Sequence, residues 1–122
     1  IGAGDEVITT AWTFVAPIEA INALGASPVL VNLDSSFHLD PAELESKITS
    51  KTKAIMLAHA LGNPFNVGRV KEICNKHNLW LIEDTCDALG AEFNGQKCGT
   101  FGDIGTFSLY ANKFNYLQFL FY

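Results

Sequence analysis

Short β-branched runs alternate with segments of helical period along most of this chain, and that alternation constrains the fold more than any other feature. Residues 6–9 (EVIT) form the first such run. Ile18, Ile21 and Leu24 then recur at helical spacing after Pro17, and Gly25 stops the helix. Residues 28–33 (PVLVNL) read as a strand covered on both faces. Asp40-Pro41-Ala42-Glu43 is a helix start: Asp40 can cap, Pro41 fits the first turn, and Glu43 can reach back to the cap. A strand over 53–58 (KAIMLA) follows, then a helix capped by Asn66 with Val70, Ile73 and Cys74 on one face. Residues 79–82 (LWLI) make another buried strand, which runs into two acids, Glu83 and Asp84. Beyond it, Phe93-Asn94-Gly95-Gln96 reads as a tight hairpin. Gly99, Gly102 and Gly105 punctuate a loop that Thr100 or Asp103 can pin, and residues 106–110 (TFSLY) read as a final strand. Strand, helix, strand at this spacing predicts right-handed βαβ crossovers and an α/β fold with a mostly parallel sheet.

Composition narrows the function classes. The 122 residues are 48% apolar and 17% charged, which is globular composition with enough chain for one modest core. The formal charge of −5, without a basic stripe, argues against nucleic acid as a partner. No apolar run is long enough to span a bilayer, and no secretory leader is read at the start. Three cysteines at loose spacing (Cys74, Cys86, Cys98) make no disulfide framework, and a reducing cytoplasm is the expected location. The opening at Ile1 and the aromatic, uncharged residues 114–122 (FNYLQFLFY) lead us to expect a piece of a longer domain.

In parallel α/β sheets, ligands sit beyond the carboxyl ends of the strands. The positions of interest are therefore residues 10–14, Asp34, His59, residues 84–87 and Ser108 onward. Asp84 follows a wholly apolar strand, where a carboxylate is costly unless neutralised. A protonated pyridine nitrogen would neutralise it and be kept charged by it. A helix cap or a metal-binding acid is the plainer reading. Phe14 can lie flat on a cofactor ring or belong to the core. His59 can line a site or be a satisfied structural histidine. Ser108, in the expected last strand, can hold a phosphate, and the amine of Lys113 can condense with an aldehyde. The ordinary surface lysine is the plainer reading there. The glycine-rich run GTFGDIG matches neither a dinucleotide nor a P-loop pattern.

Three segments, GDEVITTAWTFVAPIEAI, KTKAIMLAHALGNPF and LWLIEDTCDALGAEFNGQKCGTFGDIGTFSLYANK, resemble the DegT/StrS family of sugar aminotransferases and dehydrases in order and approximate spacing. The resemblance implies a type I pyridoxal-phosphate (PLP) fold. Residues 1–113 would be part of its PLP-binding large domain and 114–122 an anomalous tail from truncation or a broken frame. It further implies a cytoplasmic homodimer in deoxysugar or lipopolysaccharide biosynthesis, using PLP or pyridoxamine phosphate (PMP) on a nucleotide-linked keto sugar. By that resemblance Asp84 pairs with the pyridine nitrogen, Asp87 stands where most members carry Gln or His near the ring hydroxyl, and Phe14 stacks on the ring. Ser108 binds the phosphate and Lys113 forms the Schiff base.

The motifs LAHALGNPF and EDTCDALG look most like the branch that removes the C3 hydroxyl of a nucleotide-linked 4-keto-6-deoxyhexose. In that branch Cys86 matches a ligand of a [2Fe-2S] cluster and a reductase is a partner. A small buried thiol is the plainer reading of Cys86. Lys113 departs from that branch, which has His there, and points to transamination instead. The family's Gly-Glu-Gly-Gly stretch is missing after it. Lys113 is thus either genuine or the product of a frame break near Leu109. By itself the chain is expected to be inactive. A non-catalytic regulatory homologue and, more remotely, a phosphoacceptor domain are the readings from other classes.

Overall fold

The computed structural model of the chain describes residues 1–33 and 39–110. Its elements alternate as the sequence predicts. They are β1 (Glu6–Thr10), α1 (Val15–Ala23), β2 (Ser27–Val31), α2 (Pro41–Ser46) and β3 (Thr52–Ala58), followed by a single 3-10 turn (Ala60–Gly62). Then come α3 (Val67–His77), β4 (Trp80–Asp84), β5 (Glu92–Phe93), β6 (Gln96–Lys97) and β7 (Ile104–Thr106). Five strands pair in the order β2-β1-β3-β4-β7, every pair parallel, and β5 with β6 forms a separate hairpin.

The order places β1 at a reversal. The chain steps from β1 to β2 on one side, then crosses back so that β3 pairs on the other. Loops leaving β1 and β3 at their carboxyl ends therefore diverge, and the crevice between them is where such sheets hold ligands.

Alternating side chains give the sheet two faces. Ile8, Ile55, Leu57 and Leu81 pack with Leu44 of α2 and with Val67, Val70, Ile73 and Cys74 of α3. Val7 and Ala54 pack with Ile21 of α1 on the opposite face. That second face is thinly covered: Leu30, Trp80 and Ile104 keep about half their surface in solvent.

Helix ends follow local chemistry. The Asp40 side chain accepts the Ala42 N–H at 2.8 Å, and the Asn66 side chain accepts the Arg69 N–H at 3.1 Å. Asn78 closes α3 in the left-handed region, φ 55°. The Asn94-Gly95 turn has φ 50° and 80°, the signs a two-residue hairpin demands.

Three local expectations are corrected. Glu43 does not reach back to its own helix start; its Oε1 accepts from the backbone and side-chain nitrogens of Asn32 at 3.3 and 3.2 Å. Helix α1 begins at Val15, ahead of Pro17, because the missing N–H of Pro17 falls in the first turn, where no intrahelical partner exists. The last strand is residues 104–106, not 106–110. Its pairing ends at Asp84↔Thr106, where β4 itself ends, so Ser108 follows the strand instead of lying in it.

Candidate active site

The loops at the β1/β3 reversal enclose a cavity of about 240 Å³. Trp12, Thr13 and Phe14 line it from the loop after β1, Ala58, His59, Ala60 and Leu61 from the end of β3, and Asp84, Cys86 and Asp87 from the end of β4. The structure thus brings Phe14, Asp84, Cys86 and Asp87 together, residues 73 positions apart at the extremes of the range 14–87. Ser108 is half-buried and is not among the lining residues. Asp34 and Lys113 lie outside the described residues, as does the tail over 114–122.

Phe14 is the N-cap residue of α1, in an extended conformation (φ −66°, ψ 157°), and is 68% exposed. It is not a core residue; its ring forms part of the cavity wall. Asp84 is the reverse, with 8% of its surface accessible. Its Oδ1 accepts the Cys86 N–H at 3.0 Å and lies 3.5 Å from the Thr106 hydroxyl. Both contacts fall on Oδ1, and no ion pair joins Asp84 to a basic group among the described residues. Oδ2 is left as the oxygen that an occupant of the cavity can use. A desolvated carboxylate with one oxygen unassigned suits a cationic nitrogen.

The neighbouring acid has a different task. Strand residues alternate, so Glu83 faces the α3 side, paired in register with Leu57. It is wholly buried, and four donors converge on it. Oε1 accepts the Phe101 and Gly102 N–H groups at 2.7 and 2.6 Å. Oε2 accepts the Gly99 N–H at 2.8 Å and His59 Nε2 at 2.9 Å. Burial alone would raise its pKa, but the bonds from His59, Gly102, Gly99 and Phe101 outweigh it and hold the carboxyl below its ordinary value. His59 is also wholly buried, with its ring stacked on Phe65 at 4.4 Å, and Nε2–H is the tautomer that can donate to the carboxylate. Its Nδ1 has no partner among the described residues. Both readings of His59 therefore hold in part: its ring is tied into the core and the residue lines the cavity.

Glu83 is the functional candidate that sequence reasoning passed over. The signal was present, because two consecutive acids ending a strand must face opposite ways. Leu61 was also missed; it lines the cavity in the left-handed region, φ 53°, and nothing about a leucine announces this.

The three thiols differ in setting: Cys74 and Cys98 are buried and Cys86 is half-buried at the cavity. Burial pushes Cys74 up to about 11 and raises Cys98 as well, away from the reactive thiolate. Among the described residues no group of three His, Cys, Asp or Glu side chains is placed to hold a metal ion, Cys86 included. No described helix is long and apolar enough to cross a membrane.

The profile of the DegT/DnrJ/EryC1/StrS aminotransferase family matches residues 1–115. The chain belongs to this family. It is 51% identical to the lipopolysaccharide biosynthesis protein RfbH of Salmonella typhimurium over 108 residues, which are 88% of this chain and 25% of RfbH. It is 44% identical to a dTDP-4-dehydro-2,6-dideoxy-D-glucose 3-dehydratase of Saccharopolyspora spinosa, again over 88% of this chain but 23% of that one. The PLP form of Spr1654 from Streptococcus pneumoniae superposes with a TM-score of 0.86 at 31% identity, covering 91% of this chain and 32% of that one. The chain thus spans about a quarter to a third of the proteins it matches.

Proposed function

We propose that these residues form part of a PLP- or PMP-dependent enzyme acting on a nucleotide-linked keto-deoxysugar. The observation that carries the reading is Asp84, buried at the carboxyl end of β4, facing the cavity at the sheet's reversal with Oδ2 available and Phe14 on the same cavity wall. The donor set fits the cofactor: a carboxylate for a ring nitrogen and an aromatic face for the ring itself.

When bound, PLP supplies an electron sink next to the reacting sugar carbon. Asp84 keeps a proton on the ring nitrogen, and the Cys86 N–H holds the carboxylate in place for this. Phe14 covers one face of the ring and keeps water from it. By the family resemblance, Asp87 would stand by the ring hydroxyl, Ser108 would take the phosphate, and Lys113 would hold the cofactor and move a proton. A homodimer belongs to this reading.

Removal of the C3 hydroxyl is the second reading. It is favoured by the LAHALGNPF and EDTCDALG motifs and by the likeness to a 3-dehydratase. It would require a reductase partner, and Cys86 would be one ligand of a [2Fe-2S] cluster whose remaining ligands lie outside this chain. The intact enzyme, given a nucleotide-linked 4-keto-6-deoxyhexose, separates the two: an amino sugar formed with glutamate as donor supports transamination, and a deoxygenated sugar formed only with a reductant supports dehydration.

Either way, Asp84→Asn in the intact enzyme is expected to lower kcat/KM by about a hundredfold or more, by analogy with loss of one electrostatic contact to developing charge. Its thermal midpoint should stay close to wild type. Unchanged kinetics would remove the cofactor from this cavity.

A further inference from the structure

We propose that Glu83 is a positioning residue for Asp84, acting through the turn over residues 99–102 and through Thr106. The inference rests on the reading in which Asp84 meets the ring nitrogen of PLP. Three observations carry it.

First, Glu83 is wholly buried, and among the described residues its carboxylate bonds only to the turn and to His59. A buried carboxylate is a poor way to gain stability, since apolar residues of similar volume often serve as well or better. What it supplies is direction. Three backbone donors from one turn meet two oxygens, and that fixes where the turn sits on β4.

Second, the turn has a single seat. An added Cβ on Gly102 would come within 2.6 Å of the Leu81 carbonyl, and one on Gly105 would run into the Gly99 carbonyl. The Asp103 carboxylate accepts the Leu81 N–H at 2.8 Å, two residues before Glu83.

Third, the turn leads directly into β7, whose last residue reaches Asp84. Thr106 pairs in register with Asp84, its carbonyl accepts the Thr85 N–H at 2.9 Å, and its hydroxyl lies between the Glu83 carbonyl at 3.4 Å and Asp84 Oδ1 at 3.5 Å. A shift in the turn moves Thr106, and with it the oxygen against which Asp84 is set. Two acids adjacent in sequence thus do complementary work from opposite faces of one strand: Glu83 holds the scaffold, and Asp84 faces the cavity.

The test is a double-mutant cycle on PLP binding, read by absorbance titration of the intact protein, with Glu83→Gln, Thr106→Val and the pair. Thr106→Val is expected to weaken binding about fivefold, the worth of one ordinary hydrogen bond. Glu83→Gln should weaken it about tenfold or more, through loss of charge and of an acceptor for N–H groups. The pair should bind no more weakly than Glu83→Gln alone, because both substitutions act along one route. The pH titration of the bound cofactor's absorbance should also shift in Glu83→Gln, which a merely structural defect would not produce. Should Glu83→Gln fail to fold, Glu83→Asp takes its place in the same cycle with the same non-additivity expected. Wild-type affinity in a folded Glu83 variant, or effects that multiply, would overturn the inference while leaving the cofactor reading intact. If the wild-type protein takes up no PLP, both fall.

Discussion

At the scale of single residues, the decisive contrast is between neighbours. The placement of Asp84, buried at the end of β4 and lining the cavity, was legible from sequence because it follows an apolar strand of a parallel sheet. Glu83 was not singled out because its partners, the N–H groups of residues 99, 101 and 102, lie in a loop whose path no local pattern predicts. Ser108 was misplaced for a related reason: TFSLY is strand-like text, but β7 can pair only as far as β4 extends. The lowered pKa of Glu83 sets a pH dependence. A carboxyl held below its unfolded value contributes stability that is complete above the unfolded pKa and is lost as pH falls through the folded one. Stability measured by urea unfolding should therefore fall as pH is taken below the ordinary glutamate range. Glu45, lowered to about 2 chiefly by the hydrogen bond from Lys76 and then by that from His77, and Asp103 share the direction. The difference in slope between wild type and Glu83→Gln isolates the Glu83 part, and the variant should be the flatter of the two. At neutral pH, Glu83→Ala should cost about 3–5 kcal/mol, because it orphans three partly buried N–H groups and a buried histidine.

At the scale of elements, strands and helices were the most readable part of the chain, since apolar period and caps act over short distances. Asn66, Asp40 and Asn94-Gly95 each do what their chemistry suggests. Glycine meaning was less readable, because it depends on what approaches. Gly95 sits at φ 80° with open space around it, whereas Gly105 has no room for a side chain against Gly99. Gly95→Ala should therefore cost about 1–2 kcal/mol, the ordinary penalty of a left-handed conformation. Gly105→Ala should cost more, about 3 kcal/mol or above, because backbone has to move and the β4–β7 pairing with it. Chemical denaturation of the two variants side by side checks the ranking. A larger loss at Gly95 would mean that β7 is not packed as described.

At the scale of the whole molecule, the sheet is unequally dressed. Helices α2 and α3 cover one face, whereas α1 leaves Leu30, Trp80 and Ile104 about half exposed on the other. Patches of this kind on a stable protein normally meet something. The 122-residue chain in isolation should accordingly bind the dye anilinonaphthalene sulfonate, and Leu30→Lys together with Ile104→Lys should reduce the fluorescence markedly. Equal fluorescence in the variant would place the exposed surface elsewhere. Parallel order and the location of the crevice followed from sequence, because both derive from topology. The cover for that face did not, since the alternation of strands and helices is silent on which helix packs where.

The cavity walls come from loops near residues 14, 59 and 87, each brought in by a different strand. A nascent chain leaves the ribosome from its amino end. Phe14 therefore emerges long before Asp84, and parallel pairing of β1, β3 and β4 has to be complete before the cavity they line exists. The cavity itself is thus a late product of chain growth, available to the folded sheet and absent from the growing peptide.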